Sequence, residues 1–223
     1  MAASLIPSLK LNDLRLKLIF PVYVLIVLAS HDPVFSSDVG SFTGILQDVG
    51  LLVAAAGGAL RLWSLGIIHK KVELARSGPY ARTRNPLYLG TFLMGLGFAF
   101  DCEPGGLWIA ALFAGLFLFI YRQKIREEER KLEQRFGDAY RAYCAAVPRF
   151  WPTLGRAGST GPGFSWSRMV ENKGIAFVGW FLLFLLAKDF MAGVVWPAID
   201  GRVDFSGAVL AHYGHLRIFF GAP

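Results

Sequence analysis

The sequence predicts an all-α, multi-pass transmembrane protein, and three observations predict it. Of its 223 residues, 54% are hydrophobic and 14% aromatic, with a mean hydropathy of +0.46; such values belong to a membrane chain, not a soluble domain. The apolar residues gather into separate stretches close to the length of a bilayer crossing. The basic residues, which set a formal charge of +7, flank those stretches and do not cover one face of a polar domain. Membrane topology therefore accounts for them, and no nucleic-acid partner is expected.

About five spans follow in order. The first runs from about Leu14 to Ala29, with Lys10, Arg15 and Lys17 about its start. Its basic start and Val27-x-Ala29 end mimic a signal peptide, but only a brief polar loop precedes the next span, so an uncleaved helix is expected. The second, about Phe42 to Leu65, is rich in Gly, Ala and Leu. The third, about Leu87 to Phe100, and the fourth, about Leu107 to Tyr121, fall short of the roughly 20 residues of a full crossing. The tight connection Asp101-Cys102-Glu103-Pro104-Gly105-Gly106 makes them a helical hairpin. The fifth runs from about Gly174 to Ala187. These spans divide the chain into N-terminal helices (1–66), a central region (67–154), a Gly/Ser/Pro-rich linker (155–173) and a C-terminal helix with an interfacial tail (174–223).

Basic residues set the expected orientation. None occurs from His31 to Ser41, whereas Lys70, Lys71, Arg76, Arg82 and Arg84 crowd the loop before the third span. The segment from Arg122 to Lys173 is dense in Arg and Lys throughout. The positive-inside rule places the N-terminus, this loop and this segment in the cytosol, and two informative stretches thus share one side of the membrane.

The first stretch is Ser77-Gly-Pro-Tyr-Ala-Arg-Thr-Arg-Asn-Pro-Leu-Tyr-Leu-Gly90. Gly78-Pro79 and Asn85-Pro86 are turn dipeptides, and Pro86 suits the first turn of the helix that follows. Backbone N–H groups just after Pro86 are expected to be available to a ligand. The second stretch is Arg122 to Pro152, where the fourth span continues out of the membrane to about Phe136 and Gly137 is read as its C-cap. From Leu107 that is on the order of 45 Å of helix. Lys124 with Glu128, and Glu127 with Lys131, are i,i+4 neighbours. Lys124, Arg126, Glu127 and Glu128 sit near the expected membrane surface, where charge is costly without a role.

Together the stretches resemble the isoprenylcysteine carboxyl methyltransferase family of integral-membrane enzymes, with phospholipid N-methyltransferases as more distant relatives. One family motif is matched by Gly78, Tyr80, Arg84, Asn85, Pro86, Tyr88 and Gly90. The other is matched by Glu127, Glu128, Leu132, Phe136, Gly137, Tyr140, Tyr143, Val147 and Pro148. The likeness covers about Trp63 to Pro152. It implies S-adenosylmethionine as cofactor, contacted by Val72, Glu73, Leu74, Ala75, Tyr80, Asn85, Pro86, Leu87, Tyr88 and Glu128. It also implies a substrate-facing cation at Lys124, with Arg84 and Arg149 in support. Several relatives carry Arg where this chain has Lys124, and many carry His where it has Asn85.

A methyltransferase mainly positions an already activated methyl donor against its acceptor and excludes water. Glu128 suits the donor's amino group or ribose hydroxyls, and Tyr80 and Tyr88 suit adenine. A carboxylate acceptor needs no general base, only a cation such as Lys124 or Arg149 to hold it. An amine acceptor needs a proton acceptor, for which Glu127 is the candidate. The expected function is methylation of a lipophilic small molecule or lipid, a carboxylate of an isoprenylcysteine-like substrate being favoured. Phospholipid N-methylation and a non-catalytic membrane scaffold are the alternatives.

No Gly-x-Gly-x-x-Gly follows a strand-like run, which speaks against a soluble-type nucleotide fold. Gly90, Gly95 and Gly97 mark either lateral entry of a lipophilic substrate or close helix packing. No metal site is expected: Cys102 and Cys144 lack ligand partners and lie on opposite sides, and His212 with His215 makes an incomplete set. His69 is read as interfacial.

Overall fold

A computed structural model describes residues 42–69, 72–100, 106–153 and 161–213. The first apolar span, the connection through Cys102, the first part of the Gly/Ser/Pro-rich stretch, His215 and the apolar-basic tail end lie outside the described residues. All regular structure within them is helical. Helix α1 spans Phe42–Ile67, α2 Pro86–Phe100, α3 Gly106–Ala146, α4 Trp166–Glu171, α5 Gly174–Phe190, α6 Trp196–Ile199 and α7 Phe205–Tyr213. Three continuous helical stretches, Gly44–Ile67, Gly106–Ala146 and Gly174–Ile199, are long and apolar enough to cross a bilayer, and Pro86–Phe100 is a shorter apolar helix. The protein is an all-α membrane protein. The exposed Trp108, Leu112, Phe119, Trp180 and Leu186 are in keeping with helices that face hydrocarbon.

Residues 36–182 form one compact unit. Its centre is the α1–α2 contact, where glycines let two backbones meet. A Cβ on Gly90 would lie 2.7 Å from the Gly57 carbonyl oxygen, and one on Gly57 would lie 2.6 Å from that of Gly90. Gly97 likewise meets the backbone of Gly50 and Ala54, and Gly95 faces the Phe113 ring. Of the two readings weighed for these three glycines, the contacts support close packing. Arg61 of α1 ties the pair further: its guanidinium donates to the Leu87 carbonyl at 3.1 Å and to the Thr91 hydroxyl, and stands 4.5 Å from the Phe177 ring centre. On the other side of α2, Leu89 and Phe92 pack with Phe117 of α3, and Phe117 stacks on Tyr121 at 4.0 Å between ring centres.

Helix α3 departs from expectation at Gly137. The glycine does not stop the helix; it interrupts it, at φ 50° and ψ −124°, and helical turns resume to Ala146. The cause is hydrophobic. Beyond the break Tyr140, Tyr143 and Val147 are buried, and Leu132, Phe136 and Leu74 pack against them, so continuing the chain as helix buries a second apolar stripe.

The stretch expected to be a linker is structured in its second half. Backbone and side chains there cap the carbonyls that α1 leaves without partners at its C-terminus. The Ser165 N–H donates to Gly66 O at 2.9 Å, Arg168 to Ile67 O at 3.1 Å, and the Asn172 amide to both Leu65 O and Ile68 O at 2.9 Å. Ser165 also caps α4 by accepting from the Arg168 N–H.

The described residues 183–213 belong to a second unit. There, buried Lys188 and Asp189 precede a π-helical turn, Met191–Val195, that leads into α6. The fifth span thus stays helical past Ala187, through this turn to Ile199.

Candidate functional site at the junction of loop and helix extension

The loop before α2 is shaped by its glycine and prolines. Gly78 has φ +55°, a backbone state that side chains disfavour. It opens a 3₁₀ turn, Gly78–Ala81, and Pro86 then starts α2 as expected. Between these points the loop lies along the segment that follows α3. The Arg84 N–H donates to Pro148 O at 2.9 Å, and the Thr153 N–H to Arg82 O at 3.0 Å. Side chains complete the join: the Thr83 hydroxyl donates to Phe150 O at 2.8 Å, the Asn85 amide to Arg149 O at 2.9 Å, and the Tyr143 hydroxyl to Tyr80 O at 2.6 Å. The two informative stretches of the sequence are therefore hydrogen-bonded to each other.

At the centre of this join is a residue that the sequence reading passed over. Glu129 is buried. Its Oε1 lies 3.4 Å from Nη1 of Arg84, and its Oε2 accepts from Arg149 through Nη2 at 2.8 Å and Nε at 2.9 Å. Arg84 also donates to the Cys144 sulfur. A sequence signal for Glu129 existed. Ile125, Glu129, Leu132, Phe136, Tyr140, Tyr143 and Val147 recur every three or four residues, so this carboxylate occupies a position of an otherwise apolar stripe. One carboxylate shared by two guanidiniums leaves the join positive. A cavity of about 340 Å³ opens beside it, lined by five arginines and two glutamates. The Tyr140 phenol borders this cavity, outside the apolar part of α3. Burial, and then the Glu129 carboxylate, holds it well above the ordinary phenol value, so it stays protonated and able to donate.

The residues expected from the sequence divide between places. Lys124 and Glu128 pair at 3.8 Å, with the Lys124 side chain nearly buried. Tyr88 meets Tyr121 edge-on at 5.3 Å. Tyr80 is buried and its hydroxyl has no hydrogen-bond partner among the described residues. Burial raises its phenol strongly, the Tyr143 phenol and the Glu128 carboxylate add to the rise, and Arg61 opposes it. Tyr80, Arg61 and Glu128 thus share one neighbourhood. On α3, at 100° per residue, Glu128 and Glu129 point to adjacent faces, one paired with Lys124 and the other with Arg84.

Other expected positions are committed elsewhere. Val72 and Glu73 are exposed, Glu73 lying 3.8 Å from His69. Leu74 packs on Tyr140, Tyr143 and Val147, while Ala75 is buried with Ile67 and Tyr80. The N–H groups expected to be available after Pro86 are partly spent: those of Tyr88 and Leu89 donate to Asn85 O at 3.1 and 3.0 Å. The Leu87 carbonyl accepts from Arg61. Glu127, the expected proton acceptor, is exposed, and no ion pair joins it to Lys131 or to any other described residue.

No family model matches the chain, and no solved structure matches it either. Two curated proteins do. The nickel-cobalt-cadmium resistance protein NccN of Alcaligenes xylosoxydans xylosoxydans is 33% identical over 113 residues, which cover 49% of this chain and 51% of that protein. The cobalt-zinc-cadmium resistance protein CzcN of Cupriavidus metallidurans is 33% identical over 144 residues, covering 62% and 63%. The chain thus spans between half and just under two thirds of the relatives it matches. Both are named for metal resistance and neither for methyl transfer. These names overturn the expectation of an S-adenosylmethionine-dependent methyltransferase, whether of carboxylates or of phospholipid amines.

Proposed function

We propose that this membrane protein serves in resistance to transition-metal cations of the nickel, cobalt, zinc and cadmium class. The observation that carries the reading is its 33% identity, over as many as 144 residues, to proteins named for that resistance. The chemistry of the junction favours an indirect role there. A cavity walled by five arginines repels a divalent cation, so this part of the chain contributes by a route other than holding the metal. Among the described residues, no group of three or more His, Cys, Asp or Glu is arranged to hold a metal ion. The partner proposed for the junction is a lipophilic molecule or a lipid, and its side is the cytosol, supported by the basic loop and the basic segment from Arg122 onward.

The resemblance to the isoprenylcysteine carboxyl methyltransferase family, and S-adenosylmethionine as a ligand of the Tyr80–Glu128 neighbourhood, are kept as proposals about ancestry and binding only. They are supported by the two matched motifs and by the hydrogen bonds between them. Titration of detergent-purified protein with S-adenosylmethionine, beside Glu128→Ala and Tyr88→Ala, tests the binding; no saturable signal in the wild type removes it.

The function is tested by deleting the gene in its native host and measuring growth across graded nickel, cobalt, zinc and cadmium. Loss of tolerance to at least one metal is expected. It should be restored by the wild-type gene and not by Glu129→Ala, with membrane levels of both checked. Unchanged tolerance to all four metals would overturn the reading.

A further inference from the structure

The arginines around the Glu129 cavity outnumber what the ion pairs consume. Arg84 and Arg149 share Glu129, and Arg141 is held by Asp138 at 2.5 Å and Glu133 at 3.5 Å. Arg126 and Arg130 also line the cavity, and neither forms an ion pair with a described residue. They are i,i+4 neighbours and project from one face of α3. Five guanidiniums against the carboxylates of Glu129, Glu133 and Asp138 leave a local charge of about +2. Tyr140 adds a protonated phenol at the wall.

We propose that this cavity is a binding site for a phosphate-bearing anion, held chiefly by Arg126 and Arg130, with Arg141 and Arg149 at its rim. The charge matches a phosphate monoester, which carries between one and two negative charges at neutral pH. Guanidinium forks match tetrahedral phosphate oxygens in pairs, which a lysine does not do. At about 340 Å³ the cavity sits at the small end of ligand pockets, roughly 300–1,000 Å³, so the phosphate has room for an attached organic group. Height on the helix brings a lipid within reach. Arg126 lies five residues beyond Tyr121, or about 7 Å along the axis, a depth comparable with the headgroup layer that flanks the hydrocarbon core. The phosphate therefore comes from one of two sources, an anionic lipid headgroup or a soluble phosphate ester. The site is separate from the Tyr80–Glu128 neighbourhood, because Arg126 and Arg130 project from α3 roughly opposite to Lys124 and Glu128.

The test compares the full-length wild type with the double variant Arg126→Gln/Arg130→Gln, and with Lys131→Gln as a neighbouring exposed control. Because the two arginines are exposed, the double variant is expected to fold, and its thermal unfolding is measured first. One arm titrates detergent-purified protein with glycerol phosphate at low and moderate salt. The other measures retention of phosphatidic acid against phosphatidylcholine in nanodiscs by native mass spectrometry. The expected result is saturable binding in at least one arm, weakened tenfold or more in the double variant, weakened by salt, and unchanged in the control. Binding in the lipid arm alone assigns a headgroup as the source, and binding in the glycerol phosphate arm assigns a soluble ester. Absence of binding in both arms, or equal binding by wild type and double variant, overturns the proposal.

Discussion

Arg84 and Glu129 face each other at 3.4 Å with both side chains almost wholly buried, and through them the loop before α2 is fixed to the polar extension of α3. Forty-five residues separate the two in sequence. Their pairing, with Arg149 on the opposite carboxylate oxygen, makes one junction of two motifs.

The junction should be sensitive to loss of the shared carboxylate. Glu129→Ala strands the buried Arg84 guanidinium and releases Arg149, and breaking a buried pair from one side costs about 3–5 kcal/mol. The lower end is expected, because Arg149 is half exposed and screened by solvent. Thermal unfolding in detergent measures the loss. Glu129→Gln, which keeps the shape and an acceptor, should cost less than Glu129→Ala; equal cost would mean that charge pairing is not what the residue supplies.

Tyr143→Phe removes the hydroxyl that donates to Tyr80 O at 2.6 Å and leaves that carbonyl without this donor in a buried place. The expected loss is about 1–3 kcal/mol. Tyr80→Phe is expected to be neutral or mildly stabilising, since the hydroxyl it deletes has no partner among the described residues. The contrast between two tyrosines of one cluster, read by unfolding midpoints, checks the assignment of donor and acceptor.

The same two phenols predict the alkaline behaviour. Both lie outside the apolar spans, and burial raises both above the ordinary value. The folded state then keeps protons that the unfolded chain gives up above a pH of about 10. Stability from these groups is fully present below that pH and falls as pH rises beyond it. Tyr80→Phe should flatten the fall. Identical alkaline slopes in wild type and variant would falsify the link.

The α1–α2 contact gives a steric prediction. Gly90→Ala places a methyl 2.7 Å from Gly57 O, backbone that cannot swing aside, and overpacking of this kind costs about 1–3 kcal/mol. Gly58→Ala, on the same helix as Gly57 but with nothing within 4 Å, should be neutral or stabilise by up to about 1 kcal/mol, the helix-propensity difference. Comparing the two variants separates contact from propensity.

What the sequence alone determined was the one-dimensional part of the problem. Apolar runs, basic flanks and the Asn85-Pro86 break located the apolar helices α1, α2, α3 and α5 and the start of α2, because span length and a missing proline N–H are local constraints. It also named Arg84 and Arg149 and marked the two stretches as belonging together. Tertiary structure alone decided which glutamate matters. Glu127, Glu128 and Glu129 are chemically identical neighbours; the i,i+4 spacing already offered Lys124 to the second, but only the packing of α3 against the loop buries the third between two arginines. It likewise decided that Gly137 interrupts a helix without ending it and that residues 161–172 cap α1. In each case the deciding partner is distant in the chain, and helical periodicity cannot show which face a neighbouring segment will cover.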